Sequence, residues 1–178
     1  MPAEDVSAGT RVSVADRFAA RCRGQPGGSV MDEIRHEAMR GGCLCGAVRF
    51  ETTLTSTESH ACHCEICRRW VGSALICVTV PPDDIRFEGA ENIRTYRSSE
   101  WAERAWCERC GTTLYYHLLV GPQNYEVALG TFDEPNGVPM TLEIFIDRKP
   151  DSYTFAGDHP RWTKAETEAA FASAGDGP

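Results

Sequence analysis

The sequence predicts a mainly all-β protein, a metal-clamped β-sandwich of complex topology with a short C-terminal helix. Three observations lead there. From Gly41 onward, short alternating or continuously apolar runs follow one another, most of them separated by Gly, Pro, Asn or Asp. Helical periodicity is scarce. Finally, seven of the nine cysteines fall into three tight groups, a pattern that cross-links a sheet protein more than it packs one.

The elements follow in order. Residues 1–38 are small, polar and charged, contain GQPGG, and sustain no period of 2 or 3.6. They are read as a poorly ordered N-terminal extension, ahead of a zinc-binding domain at 39–162 and a C-terminal helix and tail at 163–178. Within the domain AVRFETT alternates, and VGSALICVTV reads as one buried strand. DDIRFEG, ENIRTYRS, AERAWC, TTLYYHL, NYEVALGTF and MTLEIFID supply further strands. Such a series favours a sandwich or open barrel over βαβ units. EICRRW is assigned one helical turn. TKAETEAAFAS is assigned a helix, with Thr163 and Glu166 at the spacing of a capping box.

Composition narrows the function. A formal net charge of −8 without a Lys/Arg cluster argues against nucleic acid and against an anionic membrane surface as partners. No run approaches the roughly 20 apolar residues of a membrane span. The opening MPAEDVSAGTRVSVADRFAARC lacks the apolar centre of a secretory signal. The expected location is therefore cytoplasmic, where thiols stay reduced and close cysteine spacing points to metal before disulfide. A monomer or homodimer is expected.

Spacing sorts the sulfurs. WCERCGTT carries Cys107 and Cys110 followed by Gly111, a zinc-knuckle half-site whose tight turn aims two thiolates at one point. GGCLCGAV carries Cys43 and Cys45 followed by Gly46, the natural second half of a Cys₄ structural zinc. CHCEIC leaves Cys62, Cys64 and Cys67, three sulfurs without a fourth in the segment. Three protein ligands and an exchangeable position are the habit of catalytic zinc, and three thiolates leave a net charge of −1, with Arg68, Arg69 and Arg109 nearby in sequence. Other arrangements stay open on spacing alone: His60, His63, His117 or Cys77 could close the second site, all seven sulfurs could serve one metal, or a Cys₄ set could hold iron. Cys77 otherwise reads as a buried small hydrophobe, and Cys22 lies in the extension.

GGCLCGAVRFE, CHCEICRRWVGSA, WCERCGTTLYY, and LGTFDEP leading to FIDRKPDSY together resemble the glutathione-dependent formaldehyde-activating enzyme family, also called the centromere protein V domain family, over about Arg40 to Trp162. The resemblance implies two zinc ions per chain: a structural one on Cys43, Cys45, Cys107 and Cys110, and a catalytic one on Cys62, Cys64 and Cys67. It implies a carbon–sulfur lyase acting on a thiol or thiol–aldehyde adduct of the S-hydroxymethylglutathione type, with glutathione and formaldehyde as partners. Two positions depart from the pattern. Arg68-Arg69-Trp70 stands where glutathione-using members carry Trp-Lys-Pro, and Glu143-Ile144 stands where many carry His-Ile; both bear on substrate rather than on metal. No catalytic residue is assigned beyond the zinc ligands, with His63 and Glu143 as candidates for a base. The rival reading is a non-catalytic zinc module that mediates protein interaction through Trp70, Tyr115 or Tyr116.

Overall fold

The computed structural model describes residues 38–53 and 58–173. In chain order these form β1 (Ala38–Gly42), β2 (Arg49–Thr53), β3 (Ser59–Cys62), helix α1 (Glu65–Val71), β4 (Leu75–Val80), β5 (Ile85–Glu88), β6 (Ile93–Arg97), β7 (Ala102–Cys107), β8 (Thr113–Leu118), β9 (Tyr125–Ala128), β10 (Met140–Ile144), β11 (Arg161–Trp162) and helix α2 (Lys164–Ser173). One sheet has the order β1-β2-β5; the other has the order β11-β10-β3-β4-β9-β8-β7-β6. Neighbours are antiparallel except that β10 runs parallel to both β3 and β11. The expected mainly-β class with a C-terminal helix is what the chain forms. Of the proposed extension only Ala38 is among the described residues, and it opens β1.

At β4 the larger sheet is buried on both faces. Alternation sends Val78 and Val80 to one side, Leu75 and Cys77 to the other. On the first side the three-stranded sheet lays Val48, Phe50 and Ile85 over Val78, Leu114, Tyr115 and Val127. Each such side chain contributes about 1.5–3 kcal/mol on burial. On the second side Leu75 and Cys77 join Cys62, Cys67, Leu142 and Ile144, with Trp70, Tyr116, Phe145 and Trp162 packed around them. This second, smaller cluster carries the chemistry.

Two local expectations change. VGSALICVTV is not one strand: α1 runs through Val71 and ends at Gly72, whose amide donates to the Arg68 carbonyl at 2.9 Å, so the strand begins at Leu75. EICRRW accordingly forms most of a seven-residue helix rather than a single turn. The cause is the cysteine segment, because Cys64 caps the helix through its own sulfur, which accepts from the Cys67 amide at 3.4 Å. At the other end the capping box forms as expected: the Thr163 amide donates to Glu166 Oε2 at 2.8 Å, and the Glu166 amide donates to Thr163 Oγ1 at 3.3 Å.

Candidate metal centres and their cavity

The four sulfurs of Cys43, Cys45, Cys107 and Cys110 converge, all within 4.8 Å of one another. Two matching turns bring them together. The Gly46 amide donates to the Cys43 carbonyl at 3.0 Å, and the Gly111 amide donates to the Cys107 carbonyl at 2.8 Å. Both glycines are left-handed, with φ of 75° and 74°. Thr112 ties the turns to each other: its hydroxyl oxygen accepts from the Leu44 amide at 3.1 Å and lies 3.2 Å from Cys110 Sγ. Packed this closely, the sulfurs cannot all ionise unaided. The Thr112 hydroxyl and amide draw the Cys110 thiol down to about 5. Cys45 rises to about 11; the Ala47 amide opposes the rise, but desolvation and the neighbouring sulfurs outweigh it. A divalent cation removes that conflict, and four thiol donors at this spacing fit the tetrahedral Cys₄ set.

Cys62, Cys64 and Cys67 form the second convergence, again within 4.8 Å. Cys62 ends β3, Cys64 caps α1, and Cys67 lies on the buried face of that helix. Hydrogen bonds from the Cys62 and Cys67 thiols bring Cys64 down to about 2. Those same bonds hold Cys62 well above the usual thiol range. Cys67 is pushed up to about 12: its bond with Cys62 opposes the shift, while the bond with Cys64 and burial drive it. Three sulfurs this close cannot all ionise unaided, and a divalent cation removes that conflict. Among the described residues no other Cys, His, Asp or Glu donor joins these three.

The trio opens onto a cavity of about 690 Å³. Tyr116, Leu118, Phe145 and Phe171 give it apolar walls, while Arg68, Arg104, Arg148 and Lys164 and the carboxylates of Glu65, Glu126 and Glu168 line it with both signs of charge. Phe145 reaches it from a left-handed backbone, φ 57°, a conformation uncommon for a bulky residue. Arg104 is 4% exposed. Its Nη2 donates to Cys67 Sγ at 3.5 Å, and its guanidinium lies between Tyr116 and Trp70, 4.8 and 5.3 Å from the ring centroids.

With this geometry in hand, comparison with known proteins is decisive. Residues 38–148 match the family model described as glutathione-dependent formaldehyde-activating enzyme. The chain belongs to that family. Among its relatives, an uncharacterised lyase of Schizosaccharomyces pombe is 33% identical over 126 residues, covering 71% of this chain and 91% of the relative. A protein of Halomonas elongata with the provisional name glutathione-dependent formaldehyde-activating enzyme is 25% identical over 122 residues, covering 64% of this chain and 78% of that one. A crystal structure of a Rhodobacter sphaeroides protein shares 30% identity at a TM-score of 0.49, covering 58% of this chain and all of the other.

Several residues singled out from sequence take other places in this family member. His63 is fully buried, and both ring nitrogens are engaged, Nε2 with Glu143 Oε2 at 2.8 Å and Nδ1 with the Tyr153 hydroxyl at 3.0 Å. Glu143 also accepts from His159 and Arg161, each at 2.8 Å. Neither His63 nor Glu143 lines the cavity; they form a buried network behind the cysteine segment. His117 pairs with Glu103 at 3.1 Å and stacks on Tyr125. Arg69 is exposed and pairs with Glu65, and Arg109 is exposed. The arginine at the sulfur is Arg104, which sequence reading missed because only strand register carries it from β7 to α1. Tyr115 sits in the core between the sheets. No helix among the described residues is long and apolar enough to cross a membrane.

Proposed function

We propose that the protein is a zinc-dependent carbon–sulfur lyase acting on a thiol–aldehyde adduct of the S-hydroxymethylglutathione type. One observation carries this reading: Cys62, Cys64 and Cys67 form a three-sulfur set on the wall of a substrate-sized cavity, with no fourth protein donor among the described residues. Family membership and the names of the relatives support the same chemistry. A zinc ion held by the trio supplies a Lewis acid that favours the thiolate form of a substrate thiol. In the synthetic direction sulfur attacks the aldehyde carbon, the S–C bond forms, and the thiol proton finishes on the former carbonyl oxygen. The lyase direction returns that proton to sulfur as the bond breaks.

The chain's own residues shape the rest. Arg104 balances the negative charge of the sulfurs from a buried position where its field is little screened. Arg68 provides a cation for a carboxylated thiol such as glutathione, whereas Arg148 and Lys164 pair with Asp147 and Glu168. Cys43, Cys45, Cys107 and Cys110 hold a second zinc that joins distant strands and takes no part in the reaction. None of the eight described cysteines is in a disulfide, which suits a cytoplasmic enzyme. The interaction-module reading loses its aromatic surface, since Tyr115 is in the core and Trp70 and Tyr116 enclose Arg104.

The test combines metal analysis with an assay of adduct formation from glutathione and formaldehyde. Zinc on both cysteine sets and acceleration well above the spontaneous rate are expected. Full zinc loading without acceleration would assign the site to another thiol or to no reaction.

A further inference from the structure

A second set of donors faces the same cavity. His60 on β3, Cys77 on β4 and Glu126 on β9 bring Nε2, Sγ and a carboxylate oxygen within 4.8 Å of one another. His60 Nε2 lies 3.3 Å from Cys77 Sγ and 3.5 Å from Glu126 Oε2. An imidazole nitrogen has either one proton or one in-plane lone pair, so a hydrogen bond at Nε2 serves only one of these contacts, while the thiol has only the His60 carbonyl at 4.0 Å as a further acceptor. A cation at the shared focus satisfies all of them. We propose that His60, Cys77 and Glu126 form a third metal site, for a divalent ion of the zinc class, separate from the two cysteine sets.

The surroundings support it. The donors stand on three adjacent strands in the middle of the large sheet, where His60 is the register partner of Cys77, and Glu126 that of Thr79, two residues further along β4. Thr79 Oγ1 donates to Glu126 Oε2 at 2.9 Å, fixing the carboxylate as outer partners fix metal ligands. The nitrogen, sulfur and oxygen donors suit zinc better than calcium or magnesium. One thiolate and one carboxylate neutralise a divalent ion, so the bound site carries no net charge into a region where Cys77 is 1% exposed. Three protein ligands leave a further position facing the cavity, and His60, Cys77 and Glu126 all line it beside the cysteine trio.

The experiment is metal counting on the full chain, loaded with zinc, desalted and measured by mass spectrometry. The deciding quantity is the difference between the wild type and Glu126→Gln, a change that keeps shape and removes charge. One zinc equivalent is expected to disappear, and His60→Ala is expected to remove the same equivalent. With cobalt in place of zinc, that equivalent adds a weak sulfur-to-cobalt absorption of single-thiolate intensity, which Cys77→Ser abolishes. Cys64→Ala should leave it in place, which separates this site from the trio and from the lyase reading. Equal metal content in wild type and Glu126→Gln, with both folded by circular dichroism, would overturn the proposal and leave His60, Cys77 and Glu126 as a hydrogen-bonded cavity wall.

Discussion

Arg104 is a buried guanidinium beside the three-cysteine set. It has two aromatic faces, the Ser98 hydroxyl and one cysteine sulfur around it, while its Nε has no hydrogen-bond partner. Burying a guanidinium without a carboxylate is costly. The negative charge that compensates it is the thiolate cluster, so arginine and cysteines stabilise each other. Arg104→Met keeps length and apolar bulk and removes only the charge and the donor. Metal affinity at the three-cysteine set is expected to fall about 10–100-fold, the usual loss for an outer partner. Competition with a chromophoric chelator measures it, and the four-cysteine set of the same variant serves as the internal control. An unchanged affinity would reduce Arg104 to a packing residue.

At the scale of elements, the two knuckle turns illustrate how one backbone requirement recurs. Gly111 has φ of 74°, and a Cβ placed there would meet no atom within 4 Å. Gly111→Ala therefore tests backbone preference alone, without a steric clash. It should cost about 1–2 kcal/mol, the left-handed penalty of an L-residue, lowering Tm by several degrees in a chain of this length. Thermal denaturation of the zinc-loaded protein checks this, and a far larger loss would mean that the turn does more than aim sulfurs. This turn was legible in the sequence because Cys-x-x-Cys-Gly encodes it locally. So were β7 and β8, which AERAWC and TTLYYHL mark as short strands. β1, β3 and β11 were not. β3 is Ser-His-Ala-Cys, with no β-branched residue, and becomes a strand because β4 and β10 pair with it on both sides. The cavity escaped for the same reason: His60, Cys77, Arg104 and Glu126 are far apart in sequence, and only register collects them. Metal ligands close in sequence announce themselves; residues assembled by pairing across a sheet do not.

For the whole molecule, the two cysteine sets differ in what they tie together. The four-cysteine set joins Cys45 to Cys107 across 62 positions and ends in the main core, where Cys43 and Cys107 are buried between the sheets. Closing a loop of that length restrains the unfolded chain by on the order of 4 kcal/mol in the chain-entropy view, a large share of a typical domain's 5–15 kcal/mol. The three-cysteine set spans only Cys62 to Cys67, already held by a helix cap and a strand, so its metal restrains almost nothing that is not local. Cys107→Ser should therefore yield insoluble or unfolded protein. Cys64→Ala should leave a folded chain with Tm within a few degrees of the wild type, lose the metal of the trio, and lose the proposed lyase activity. Chelation should repeat the contrast in the unmodified protein, with activity lost at mild chelator strength and cooperative unfolding only when the four-cysteine metal leaves. Circular dichroism and metal content followed together along the chelator titration decide it: a single transition in which fold, metal and activity vanish at once would mean that the two sets share one structural task.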